Sequence, residues 1–89
     1  MKIGIGAPAM GMGGALECDV VDAATGEKLH TISLALVPRV GEELDVDSGG
    51  RDHRDGVYRI VRIRYHVRHR KIVKTDDLIG ISLYVERAL

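Results

Sequence analysis

Hydrophobic and polar positions alternate most strictly between Val61 and Arg70. Val61, Ile63, Tyr65 and Val67 fall on one face of an extended chain, and Arg62, Arg64, His66, Arg68 and Arg70 on the other. The period of two predicts one long β-strand over residues 57–70 with a basic stripe along one side. Tyr58 and Ile60 precede this run out of phase with it, so the side-chain register slips between Ile60 and Val61, as a β-bulge or sharp bend would allow. Unbent, such a strand would run about 43 Å, far beyond the usual length in a small domain. A long bent strand suits a small barrel, where it serves both halves of the sheet.

Weaker patterns flank it. Ala15–Ala23 alternates, with Leu16, Cys18 and Val20 inward and Glu17 and Asp19 outward. Ala24–Glu27 supplies a turn, with Gly26 free to take positive φ, and Lys28–Val37 returns as the partner strand. Both faces of that return are fairly apolar, so it is expected to be central or covered by another chain. Pro38 and Gly41 break the ladder before a short strand at Leu44–Asp47. Ser48–Gly56 is expected as an exposed polar loop, placing Asp45 opposite Arg59. The last strand, Leu78–Glu86, points Ile79, Ile81, Leu83 and Val85 inward and Ser82, Tyr84 and Glu86 outward. The expected architecture is an all-β, five- or six-stranded antiparallel, partly open barrel.

Composition narrows the class. Eighty-nine residues give one domain, assigned to 15–89; the glycine-rich segment 1–14 is expected as a flexible leader or short edge strand. Ten Val and eight Ile against eight Leu favour strands. A single cysteine, Cys18, excludes an intrachain disulfide and suits a reducing, cytoplasmic setting. No run of apolar residues is long enough to span a membrane. The opening M-K-I-G-I-G is like a dinucleotide-binding glycine turn, but the helix and βαβ unit that such a turn needs do not follow. Glycines and Pro8 also interrupt the segment too early for a secretory signal.

The succession V-P-R-V-G-E-E-L, a polar glycine-containing loop and G-V-Y-R-I-V-R-I resembles uncharacterised small SH3-like β-barrel proteins of phage or mobile gene-cassette origin, over residues 36–86. That resemblance implies a fold and carries no catalytic residue.

The residues themselves offer little chemistry. His66 and His69 point to opposite sides of a regular strand, and no second cysteine completes a zinc set, so no metal or other cofactor is assigned. Ser33, Ser48 and Ser82 lack a nucleophile elbow, and Glu17 and Asp19 disfavour a Cys18 thiolate. A non-enzymatic module is expected. The net charge of zero conceals a segregation: nine basic and two acidic residues over 51–74 leave +7 there and −7 elsewhere. The bland account is that the stripe is satisfied by the protein's own carboxylates. The functional account makes Arg62, Arg64, His66, Arg68, Arg70 and Lys71, with Tyr84, a face for nucleic acid or an acidic protein surface, its arginines repeating at about 6.6 Å. Self-association as a homo-dimer or higher homo-oligomer, through an apolar strand face and the charge stripes, is the main expectation. A barrel pocket for a small ligand is a third possibility.

Overall fold

The computed structural model describes residues 15–50, 52–73 and 75–88; the expected leader or edge strand at 1–14 lies outside them. Five strands form one sheet: β1 (Leu16–Asp22), β2 (Lys28–Leu34), β3 (Glu43–Val46), β4 (Gly56–Arg70) and β5 (Thr75–Arg87). Their order is β2-β1-β5-β4-β3, and the sheet curls strongly into a half-barrel. Among the described residues there is no helix, so none is long and apolar enough to cross a membrane.

The sheet is mixed, which corrects the expected antiparallel barrel. Successive strands alternate in direction, so the first and fifth point the same way. When β5 docks beside β1 the contact has to be parallel, with Asp19 opposite Ser82 and Val21 opposite Tyr84. The other three pairings are antiparallel. β2 and β3 are left as the two edges.

β1 and β2 are joined where the sequence calls for a turn. Gly26 takes φ +79, its amide donates to the Asp22 carbonyl at 2.8 Å, and the Asp22 carboxylate accepts from the Ala24 amide at 2.8 Å. A bulge follows, because Val20 faces His30 while Val21 faces Lys28, leaving Leu29 as the extra residue. That extra residue turns Leu29 toward the core. β2 is therefore an edge strand ending at Leu34, whose outward Thr31 and Ser33 are polar and exposed, rather than a central strand with two apolar faces. Val37, beyond its end, also packs on the core.

The core lies on the concave side. Cys18 and Val20 of β1, Tyr58 and Ile60 of β4, and Ile81, Leu83 and Val85 of β5 are buried, ringed by partly buried Leu16, Ile32, Leu44, Val46 and Ile63. β4 bulges between Ile60 and Arg62, as its broken alternation predicts, and this lets Tyr58, Ile60 and Ile63 all face inward. A second bulge, between His66 and Val67, leaves Ile79 as the extra residue of β5. The expectation of Ile79 as an inward core residue is thereby corrected: it is half exposed.

Across β3 and β4, Glu43 faces Arg59 and Asp45 faces Val57, two residues away from the expected register. Strand pairing begins at Gly56 opposite Val46, so the loop takes in Asp47 and gives up Gly56 to β4. The loop is also less exposed than its polarity suggests. Residues 52–56 fold back toward β2, and Arg54 and Asp55 are partly buried.

Candidate functional site

β4 and β5 are much longer than the strands beside them. β1 covers β5 only at Ser82–Val85, and β3 covers β4 only at Gly56–Arg59. From about Ile63 and Ile81 outward the two strands form a two-stranded arm, closed by a turn at Lys71, Ile72 and Val73. Each face of the arm carries one half of the alternating pattern.

On the convex face the structure brings the basic candidates into one row. Arg62, Arg64, His66, Arg68 and Arg70 are all exposed along β4, and Lys71 continues them into the turn. Tyr84 lies directly across from Arg62, whose guanidinium carbon sits 4.0 Å from the ring centroid; that of Arg64 is at 5.4 Å. Tyr84 is thus not the open stacking surface the sequence suggested, because Arg62 covers its ring. The cation–π contacts instead hold both arginines against the sheet, so that less side-chain freedom is lost when they bind an anion.

The carboxylates neutralise this row only at its far end. Among the described residues its one ion pair is Arg70 Nε to Asp77 Oδ2 at 2.6 Å. Among the described residues Arg62, Arg64 and Arg68 have no carboxylate within 4.0 Å, although Asp77 stands directly opposite Arg68 on β5. Arg59, on the other side of the first bulge, pairs with Glu43 at 3.2 Å. Two further acidic residues, Glu17 and Asp19, are on the outer side of β1, where Asp19 accepts from the Thr31 hydroxyl at 3.1 Å and is 3.9 Å from Lys28.

On the concave face the apolar half of the pattern runs out past the core. Tyr65 is 54% exposed, Val67 50%, Leu78 49% and Ile79 46%, with Val67 opposite Leu78. At its far end His69 Nδ1 is 2.6 Å from Asp76 Oδ1. Tyr65, Val67 and Ile79 were missed as site candidates because alternation alone assigns them to a core, and Leu78 because it joins their face only through the bulge at Ile79. The signal lay in the length of the strand, which exceeds anything the rest of so small a chain can cover.

Away from the arm, the loop over the body is tied down by polar contacts. Arg87 donates to the carbonyls of Asp55 (2.9 Å) and His53 (2.6 Å), and the Tyr58 hydroxyl donates to the Arg54 carbonyl. His30 Nε2 meets the Arg54 carbonyl at 2.7 Å. Arg54 bonds the Asp52 carboxylate through two nitrogens at 3.0 Å, and this holds the Asp52 pKa down to about 2. Asp55 accepts from the Ser48 amide and hydroxyl, bonds that lower its pKa, while its other oxygen is buried without a hydrogen bond, 3.8 Å from His30. Burial raises the Cys18 pKa, with Asp19 and Glu17 adding to the effect.

Among the described residues no three His, Cys, Asp or Glu side chains converge as a metal site. No family model, curated protein or solved structure matches this chain.

Proposed function

We propose that this protein is a non-enzymatic binding and assembly module that self-associates through the concave face of its β4–β5 arm. The carrying observation is the contiguous row of half-exposed Tyr65, Val67, Leu78 and Ile79, continuous with a core whose own members are almost fully buried. Fully burying such side chains is worth roughly 1.5–3 kcal/mol each, so leaving four of them half wet is a substantial unused driving force. A second copy of the arm is the natural cover. The arm's arginines all lie on its other face, so two arms packed apolar face to apolar face bring no like charges together, and the His69–Asp76 pair closes the end of the row.

Size-exclusion chromatography with light scattering tests this. Wild type is expected at a multiple of the 9.7 kDa chain mass, and Val67→Lys at the single-chain mass. A single-chain mass for wild type up to about 1 mM, the weak limit of specific association, overturns the proposal.

The convex face favours a second reading, binding of a polyanion by the arginine row. It is supported by Arg62 and Arg64, which have no carboxylate within ion-pair distance among the described residues, whereas Asp77 stands opposite Arg68 and pairs with Arg70. The two readings use opposite faces of the arm and can hold together.

A further inference from the structure

Resting on that second reading, we infer that the polyanion is single-stranded nucleic acid, laid lengthwise along the convex face, and that the sheet is built to disfavour a duplex. Alternate residues of β4 repeat at about 6.6 Å, close to the step between phosphates in an extended single strand. Arg62, Arg64, His66, Arg68 and Arg70 therefore offer five successive positions in a nearly straight row. Guanidinium can hold phosphate through two nitrogens, and Arg62 and Arg64 are already braced on Tyr84.

Beside this row the neighbouring strand makes a low floor. Facing outward on β5, after Tyr84, come Ser82 opposite Arg64, Gly80 opposite His66 and, past the second bulge, Asp77 opposite Arg68 and paired with Arg70. Gly80 has no side chain, and a Cβ built there would meet only the His66 Cβ, at 3.7 Å. The far side of the floor is acidic: Asp19 faces Ser82 across the parallel pairing, and Glu17 borders the same depression as Gly80. At the level of Ser82, Arg64 and Asp19 stand two interstrand spacings apart, about 10 Å.

A channel of that width accepts one sugar-phosphate chain, its phosphates on the arginines and its bases over the Ser82–Gly80 floor or stacked on the outer faces of the guanidinium groups. A duplex lying along the same row would carry its second strand of phosphates over Glu17 and Asp19, where like charges repel. Lys28 offsets Asp19 only in part, at 3.9 Å, and Glu17 is exposed with no cation within ion-pair distance among the described residues.

The test is fluorescence anisotropy with a labelled short oligothymidine, a duplex of the same length and heparin as competitor, at two salt concentrations. Oligothymidine is expected to bind with log K falling against log salt at a slope of about −3, for four phosphates engaged. The duplex should bind at least about tenfold more weakly, and Glu17→Gln with Asp19→Asn should narrow that gap. Arg64→Glu with Arg68→Glu, both at exposed positions, should weaken oligothymidine binding by roughly tenfold or more while circular dichroism shows the fold retained. Failure of oligothymidine, duplex and heparin alike to bind overturns the polyanion reading itself. Equal affinity for duplex and single strand, or heparin displacing oligothymidine as well as oligothymidine does, leaves that reading standing and overturns the single-strand inference. Oligothymidine binding unchanged by the two arginine substitutions overturns the placement on this face.

Discussion

The near and far halves of the β4–β5 hairpin carry the same alternation and meet different fates. In the near half Ile60 faces Val85, with exposures of 0% and 1%; in the far half Val67 faces Leu78, and both are about half exposed. The strands, their pairing and their residue types are alike. What differs is the cover. The near half is flanked by β1 and β3, shares its core cluster with Leu29, Ile32 and Leu34 of β2 and is shut by the 52–56 loop, whereas the far half has no strand on either edge among the described residues. An alternating strand thus establishes that one face is apolar, while burial depends on how many other elements are long enough to reach it. The far half also carries features that blunt unguarded edges, a bulge and a row of charged side chains.

The largest expected effect sets these halves against each other. Ile60→Ala removes packing from a sealed site and should cost about 2–5 kcal/mol in urea unfolding. Val67→Ala, at a half-exposed site, should cost less than about 1 kcal/mol in the isolated chain. Equal losses at low protein concentration would break the comparison and show that the arm is covered within one copy. A Val67→Ala loss that grows with protein concentration would sharpen it, because the arm is then sealed only by association.

Much of the near half was legible in the sequence. The strand at 57–70, the slip after Ile60, the turn at Gly26 and the inward Cys18, Val20, Leu83 and Val85 all follow from period-two patterning and turn chemistry. The convex arginine row was legible too, since five like residues on one face of a strand need no tertiary information to line up. The remainder depended on residues that break the period. One extra residue in β2 turned Leu29 inward and removed the supposed second apolar face, and one in β5 displaced Ile79. Bulges leave little local signature unless the alternation on both sides is strong. The parallel β1–β5 contact required knowing which strands become neighbours, and the Arg87 contacts to the loop join residues more than thirty positions apart.

Glycine replacement gives the next effect in size, again with one site in each half. Gly56, where β4 begins, has φ +147, and a Cβ there would run into the Arg87 guanidinium, which is pinned by the Asp55 and His53 carbonyls and lies 4.9 Å from the Tyr58 ring centroid. Gly56→Ala should therefore cost about 1–3 kcal/mol, combining backbone strain with loss of the contacts that fasten the loop. Gly80, on the arm, has room for a Cβ, and Gly80→Ala should stay within about 0.5 kcal/mol. A harmless Gly56→Ala would mean that the loop is not held by Arg87, and would remove one reason why the near half is sealed.

The smallest effect is read from pH. Asp52 and Asp55 both sit in the loop that shuts the near half, and hydrogen bonds to their charged forms, from Arg54 and Ser48 respectively, depress their folded-state pKa values, that of Asp52 from 3.8 to about 2. A carboxylate with a depressed folded pKa binds protons more readily when unfolded, so its contribution is complete above 3.8 and disappears as pH falls from there toward 2. Urea midpoints should accordingly be steady between about pH 7 and pH 5 with respect to these two groups, then decline through that acid window. Asp52→Asn should flatten the decline. The effect is modest because Asp52 is close to solvent, which screens its pairing with Arg54. If Asp52→Asn leaves the acid slope as steep as in wild type, the Arg54–Asp52 contact is not a fastening of the loop. The cover over the near half must then rest on Arg87, Tyr58 and His30 alone, the groups that reach the loop through its backbone carbonyls.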